Sequence, residues 1–345
     1  MSELYIDENY KSILSLRETE IAIKFIKDHF EEQLSHELNL QRISSPLFVR
    51  KGSGINDDLN GIEKKVSFQI PDADMAEAEC LFSLAKWKRM ALAEYGFEQG
   101  EGLYTDMNAL RPQEVLDNIH SVYVDQWDWE RIMKKEERHL DFLKEIVRKI
   151  YHAVKSTEKA VCEKFIGLTP LLPKDIVFIH TEDLAKKYPT LPPRTREDKI
   201  ARDYGAVFII GIGAELSEGI VHDGRAPDYD DWVTLDGNGK RGLNGDIFVW
   251  NPVLQRGVEL SSMGIRVDKE SLLEQLRIRN CLERTEQEWH KRLMNEEFPL
   301  TVGGGIGQSR LCMLYLQKMH IGEVHASIWP EDTVKRCKEA GIRLL

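Results

Sequence analysis

The chain has 345 residues, and its 47 basic and 58 acidic residues give a formal net charge of −11. Hydrophobic residues make up 42%, which suffices for a sizeable core and excludes global disorder. No apolar run approaches the roughly 18 residues of a membrane span, and the acidic N-terminus lacks the apolar stretch of a secretory signal. Five widely spaced cysteines form no C-x-x-C pair, so we expect a cytoplasmic protein without a zinc ribbon.

Helical patterns occur in three places. Ser15 and Glu18 form an S-x-x-E capping box ahead of an apolar stripe, which predicts a helix beginning near residue 15. A second helix is predicted over 137–165, ending at Gly167. A third is predicted over 269–293.

Strand patterns lie between these helices, at 66–70, 121–124 and 206–212. Two more, at 247–250 and 257–260, flank Asn251-Pro252 and are expected to pair across a turn. Strict alternation of strands and helices is missing, so we predict an α+β fold with a largely antiparallel sheet. No Pro/Gly/Ser linker divides the chain. We therefore expect one domain over 1–345, with the proline-containing segment 186–198 as a surface excursion.

Two glycine-rich stretches suggest nucleotide binding, but only the second remains a candidate nucleotide site. The G-x-G after the strand at 206–212 has Leu216 where a dinucleotide fingerprint needs a third glycine, and no Walker A loop is present. Residues 303–310 read GGGIGQSR. Glycines let a strand pack flush against a planar ring or a phosphate, and Arg310 can reach a polyphosphate. The alternative is a tight joint between a strand and a helix.

Paired acids and alternating polar residues supply further candidates. Asp246 and Glu259 sit on two predicted neighbouring strands, an arrangement suited to Mg²⁺, although they could also be unrelated surface acids. Residues 124–130 alternate with period two, which puts Gln126 and Asp128 on one face of a strand, either as a polar pocket wall or as a solvent face. The Asp228–Asp231 cluster is either a solvated loop or a site for a cation or amine.

Six ordered segments together resemble the ammonia-dependent asparagine synthetases (aspartate–ammonia ligases). The segments are SLAKWKR at 83–89, GEGLYTDMNALRP at 100–112, HSVYVDQWDWE at 120–130, RAPDYDDW at 225–232, LNGDIFVWNPVLQRGVELSSMGIRVD at 243–268 and GGGIGQSR at 303–310. The resemblance implies the catalytic fold of class II aminoacyl-tRNA synthetases, with a central, mainly antiparallel sheet flanked by helices, and a homodimer. It also implies that L-aspartate, ATP and ammonia give L-asparagine, AMP and diphosphate through a β-aspartyl adenylate.

The resemblance implies a role for each matching residue. Arg111 corresponds to the arginine that holds the α-phosphate, and Arg310 to the one that lies against adenine and the terminal phosphate. Asp246 and Glu259 correspond to the acids that hold Mg²⁺. Gly305 and Arg266 are assigned to the nucleotide side of the site, and Lys88 to the substrate carboxylate. The remaining residues assigned to the amino acid are Asp57, Ser83, Gln126, Asp128, Asp230 and Ser262.

The nitrogen donor is expected to be free ammonia. Residue 2 is serine rather than a glutaminase cysteine, no G-x-C-x-G occurs, and so no glutaminase subunit is expected. Ammonium must lose a proton before it attacks, and Asp128 or Asp230 is the hypothesised base. The rival interpretation is an aspartyl- or asparaginyl-tRNA synthetase. Such an enzyme carries an anticodon-binding domain of roughly 100 residues ahead of its core, for which the chain leaves no room, so no tRNA partner is expected.

Overall fold

The computed structural model describes residues 4–56 and 65–345. Its helices are α1 (Leu16–Leu38), α2 (Ala85–Glu94), α3 (Leu140–Lys164), α4 (Thr181–Lys187), α5 (Pro193–Tyr204), α6 (Lys269–Ile278), α7 (Glu288–Met294), α8 (Gln308–Tyr315) and α9 (Glu331–Glu339). Its strands are β1 (Leu40–Arg42), β2 (Phe48–Arg50), β3 (Ser67–Ile70), β4 (Ala76–Cys80), β5 (Gly102–Leu110), β6 (Tyr123–Ile132), β7 (Val177–His180), β8 (Ala206–Ile210), β9 (Asn244–Asn251), β10 (Arg256–Ile265) and β11 (Thr301–Gly307).

An eight-stranded sheet forms the centre of the fold, with the order β1-β5-β6-β11-β10-β9-β8-β7. Only the edge pairs β1–β5 and β7–β8 are parallel, and the six strands between them are joined by antiparallel pairings. A separate three-stranded sheet has the order β2-β4-β3. The predicted α+β class with a largely antiparallel sheet is therefore confirmed.

The alternation in β6 divides the central sheet into an apolar side and a polar side. Trp127 and Trp129 are fully buried in the main core, which also takes the apolar stripes of α1 and α3. The rings of Phe30 and Trp127 lie 4.5 Å apart. Because successive strand residues point to opposite faces, Gln126, Asp128 and Glu130 lie on the other side of the sheet. The fold thus directs a row of polar side chains toward the face that carries the candidate site.

Several predicted elements are confirmed in position. The side chain of Ser15 accepts a hydrogen bond from the Glu18 amide, and Glu18 reaches back to the Ser15 amide, as the capping box predicted. The second helix runs over Leu140–Lys164 and is followed by Gly167 in the left-handed region, with φ 97°. β9 and β10 pair antiparallel, with Gly257 opposite Trp250.

Two predictions differ from the structure. The helix expected over 269–293 is broken into α6, a 3-10 turn at Leu282–Glu286 and α7, because Asn280 adopts a left-handed φ of 53° that ends the first helix. The segment 186–198 is not a surface excursion along its whole length. Its last residues open α5, whose Arg196 and Glu197 side chains are buried.

In the described part of the chain, no helix is long and apolar enough to cross a membrane. The five cysteines are free thiols.

Candidate active site

Two adjacent cavities open on the polar face of the central sheet. The first, here the Arg225 cavity, has a volume of about 350 Å³, and its walls include Phe82, Arg111, Glu114, Arg225 and Tyr229. The second, the Arg310 cavity, has a volume of about 210 Å³, and its walls include Arg111, Glu114, His120, Tyr123, Gln126, Glu259 and Arg310. Because Arg111 and Glu114 line both, the two cavities meet at these residues.

A β-bulge places the two candidate metal ligands on one face. Asp246 lies opposite Ser262 in the β9–β10 ladder, and Glu259 lies opposite Phe248. Glu259 and Ser262 are three positions apart, so regular alternation would put them on opposite faces. The register shift between Glu259 and Ser261 inserts one residue and brings both onto the face of Asp246.

The ionised form of the Asp246 carboxyl group is disfavoured at its buried position, and a bound cation would stabilise it. Burial and the charge of Glu259 raise the pKa of Asp246 to about 7, although Arg225 acts in the opposite direction. Residues 4–56 and 65–345 contain no group of three or more potential metal-ligating side chains. Two carboxylates that leave room for waters and phosphate oxygens fit Mg²⁺, which seldom uses a complete protein cage. This donor set therefore fits the expected metal.

The polar face of β6, which carries Asp128 and Glu130, holds a buried ion-pair cluster. The Lys88 ammonium donates to Asp128, to the carbonyl of Trp129 at 2.8 Å and to the carbonyl of Gly304 at 3.1 Å, and it lies 3.7 Å from Glu130. Burial raises the pKa of Asp128 and lowers that of Lys88. All three ammonium hydrogens are in use. A substrate carboxylate could reach Lys88 only by replacing one of these partners.

Arg266 connects this cluster to the next one. Its guanidinium donates to both oxygens of Glu130, from Nε at 3.0 Å and from Nη2 at 2.8 Å, and also to Asp230. Arg225 lies 3.5 Å from Asp230 and donates to Asp246 at 2.5 Å. The chain of contacts joins three cations to four carboxylates: Lys88, Arg225 and Arg266 with Asp128, Glu130, Asp230 and Asp246. This network has a formal surplus of one negative charge.

The glycines of β11 make room for site side chains. A Cβ at Gly303 would lie 1.9 Å from Oε2 of Glu130, and one at Gly305 would lie 2.7 Å from Oε1 of Gln126. The sequence predicted glycines that let a ring or phosphate lie flush on the strand. In the structure, the space over Gly303 and Gly305 belongs to the side chains of β6. Arg310 lies just beyond, donating to the Glu259 carbonyl at 3.0 Å.

The carboxylate cluster at 228–231 divides into one site residue and two anchors. Asp228 is fully buried and receives Lys86 at 3.3 Å, Arg284 at 3.1 Å and His290 at 3.1 Å. Asp231 binds Arg138 and accepts the amides of residues 233 and 234. Only Asp230 joins the site network. The cluster is therefore buried rather than a solvated loop, and its carboxylates bind cationic side chains of the chain itself.

The remaining predicted residues lie as follows. Ser83 accepts the Ala85 amide at 3.1 Å at the start of α2, next to Phe82 in the cavity wall. Asp57 falls outside the described residues. Glu130 and Arg225 were absent from the predicted site, yet both belong to the network. The period-two pattern of 124–130 places Glu130 on the same face as Gln126 and Asp128, and Arg225 opens the RAPDYDDW segment, but neither signal assigned a role to these two residues.

The fold and the site together define a class. The structure is similar to asparaginyl-tRNA synthetase from Pyrococcus horikoshii complexed with asparaginyl-adenylate, with a TM-score of 0.65 at 16% identity, over 90% of this chain and 70% of that one. It is also similar to aspartyl-tRNA synthetase from Entamoeba histolytica, with a TM-score of 0.58 at 14% identity, over 89% of this chain and 58% of that one. The chain therefore has the class II aminoacyl-tRNA synthetase catalytic fold.

Sequence comparisons give the family within that class. The family described as aspartate-ammonia ligase matches residues 17–341. Aspartate–ammonia ligases from Parabacteroides distasonis and Clostridium perfringens are 59% and 55% identical, each over the full length of both chains. The chain belongs to the aspartate–ammonia ligase family, carbon–nitrogen ligases that make asparagine from aspartate and ammonia.

Proposed function

We propose that this ligase activates aspartate with ATP, forming a β-aspartyl adenylate and diphosphate before ammonia reacts. The observation that carries the proposal is the junction of the two cavities at Arg111 and Glu114, with Arg310 on one side and Arg225, which binds the carboxylate network, on the other. An anionic polyphosphate fits the arginine side, and a zwitterionic amino acid fits the mixed-charge side.

In the first step, an oxygen of the aspartate β-carboxylate attacks the α-phosphorus, and the bond from that phosphorus to the bridging oxygen of diphosphate breaks. Both reactants are anionic, so their approach requires fixed positive charge. Arg111 supplies it where the cavities meet, with its guanidinium held 5.4 Å from the Phe82 ring centre. Arg310 supplies it at the far end, where the Glu259 carbonyl orients its side chain.

Asp246 and Glu259 would hold Mg²⁺. The bound ion would supply electrostatic stabilisation of the phosphate oxygens. Gly305 serves the same region indirectly, because its missing side chain lets Gln126 lie flat in the wall of the Arg310 cavity.

In the second step, the ammonia nitrogen attacks the β-carbonyl carbon, the bond from that carbon to the phosphate oxygen breaks, and AMP leaves. A base must take a proton from ammonium. Asp128 is favoured over Asp230 because burial raises the pKa of Asp128 and so increases its affinity for a proton. Asp230 already pairs with two arginines, Arg225 at 3.5 Å and Arg266, and so is less available to ammonium.

Lys88 serves the amino-acid side of the site, and Arg266, which the resemblance assigned to the nucleotide side, is joined to it through Glu130. Lys88 pairs with Asp128 and donates to two backbone carbonyls, and Arg266 pairs with Glu130 and Asp230. A substrate carboxylate could exchange with one of these acids without adding a buried charge. Ser262, facing Asp246 across the ladder, lies on the boundary with the proposed metal site.

The test is product analysis with radiolabelled ATP. AMP and diphosphate should appear only when aspartate and ammonium are both present, and ATP–diphosphate exchange should need aspartate alone. Arg111→Ala should abolish both, whereas the matched control Arg241→Ala, which removes an exposed pair with Glu274, should change neither. Release of ADP in place of AMP would refute the proposal. The homodimer that the resemblance implies is tested separately by sedimentation velocity.

A further inference from the structure

Arg225 binds Asp246, one of the two carboxylates to which the proposed function assigns a metal ion. Its Nη2 donates to Oδ1 of Asp246 at 2.5 Å, and its side chain is only about 10% exposed. Glu259 is the second carboxylate of that face and has Arg310 at 3.7 Å. In this state the positive charge beside Asp246 is therefore a guanidinium of the chain itself.

The guanidinium is incompletely satisfied where it lies. Among the described residues, the buried Nε of Arg225 has no hydrogen-bond partner. Asp230 lies 3.5 Å from this nitrogen, and Asp230 is already bound by Arg266. Buried arginines ordinarily form paired, fork-like hydrogen bonds, as Arg266 does with Glu130. Arg225 is thus held by one short hydrogen bond to Asp246 and one longer ion pair with Asp230, a weaker arrangement than the bidentate pair of Arg266 with Glu130.

The backbone of Arg225 is fixed independently of that contact. A Cβ at Gly213 would lie 2.7 Å from Cβ of Arg225, so the two segments are in close contact. Arg279 donates to the carbonyls of Gly213 at 3.2 Å and of Arg225 at 3.5 Å. Three residues earlier, His222 is buried against Glu197 of α5 at 3.1 Å. The side chain can therefore release Asp246 while its own backbone stays in place, and it also lines the open Arg225 cavity.

We propose that Arg225 is the resident counter-cation of Asp246 and competes with the divalent cation for that carboxylate, so that it sets the affinity of the metal site. The inference rests on the proposed metal role of Asp246 and Glu259. Without the metal, Arg225 offsets the charge of a buried acid. With it, two positive charges of the ion and one of the guanidinium would lie at the same oxygens, so the guanidinium must move away.

The experiment measures Mn²⁺ binding to the nucleotide-free protein by electron paramagnetic resonance. Arg225→Met removes the competing charge and should tighten Mn²⁺ binding about tenfold, the size expected for loss of one charge-assisted hydrogen bond. Arg225→Lys keeps the charge and should lie between Arg225→Met and the wild type. Arg241→Met, which breaks an exposed arginine–glutamate pair elsewhere, should match the wild type.

Thermal unfolding gives an independent readout. Arg225→Met should lower the melting temperature in EDTA, and added Mn²⁺ should raise it by more than in the wild type. If Arg225→Met binds Mn²⁺ no more tightly than the wild type while Asp246→Asn loses Mn²⁺ binding, the competition by Arg225 is refuted and the metal assignment stands. Mn²⁺ binding that survives in Asp246→Asn, or is absent from the wild type, would overturn the metal assignment together with it.

Discussion

Replacing Asp128 by asparagine separates the two proposed chemical steps. The amide oxygen can still accept the Lys88 ammonium, which also keeps the carbonyls of Trp129 and Gly304 and the nearby Glu130. The adenylate-forming cavity walls are unchanged, so ATP–diphosphate exchange should stay within about threefold of the wild type. Loss of a general base typically costs roughly 10²–10⁴-fold. Asparagine formation should fall by that factor, which corresponds to about 3–5 kcal/mol of barrier.

The assay compares exchange and asparagine production in the same preparation at saturating aspartate. Asp230→Asn is the matched alternative, because it also leaves Arg266 with a bidentate partner in Glu130. It should slow asparagine formation less than Asp128→Asn. An equal loss of exchange and synthesis in Asp128→Asn would refute its role as the base, as would a larger selective loss in Asp230→Asn.

Three further predictions concern the framework around the site. Asp228→Asn leaves Lys86, Arg284 and His290 without their shared anion, and should lower the free energy of unfolding in urea by roughly 3–5 kcal/mol; an unchanged urea midpoint would contradict this role. Gly303→Ala should lower ATP–diphosphate exchange, because the new Cβ would lie 1.9 Å from Glu130, whereas the control Gly307→Ala, whose nearest atom is 3.3 Å away, should be mild. Burial lowers the pKa of His320 to about 4, so the unfolded chain binds the extra proton between about pH 4 and 6.5 and stability falls as the pH drops through that range. His320→Asn should remove about 2 kcal/mol of this pH dependence, measured as the difference in urea unfolding between pH 7 and pH 5; an unchanged pH dependence would contradict it.

The sequence was most informative where a local rule decides the structure. The capping box at Ser15 needs only residues three apart, and the pairing of β9 with β10 needs only a turn between two β-rich runs. The polar face of β6 followed from strand alternation alone. Each of these features depends on near neighbours in the chain, and each is present.

Features that depend on distant contacts could not be predicted. The bulge after Glu259 shifts the alternation of β10 by one residue, so the following side chains point to the opposite face from that expected. No residue type in the sequence marks this bulge. The helix over 269–293 fails at Asn280, a residue that tolerates left-handed backbone but does not require it. The segment 186–198 was expected at the surface, whereas its residues Arg196 and Glu197 are buried with their tertiary partners Glu218 and His222.

The site shows the same limit. The resemblance selected Lys88, Asp128, Asp230 and Arg266 individually, but it did not show that they saturate one another. Glu130 and Arg225 complete the network through contacts spanning 136 and 21 positions in the chain. Pairings of that kind are set by strand order and register, which one sequence does not contain.

The most direct test of the account follows an oxygen atom. Aspartate labelled with ¹⁸O in its β-carboxylate is turned over with ATP and ammonium, and the products are analysed by mass spectrometry. The adenylate route predicts one ¹⁸O in AMP and none in diphosphate, because the carboxylate oxygen attacks the α-phosphorus and stays with it when ammonia displaces AMP. Unlabelled AMP, or label in diphosphate or in inorganic phosphate, would contradict the account.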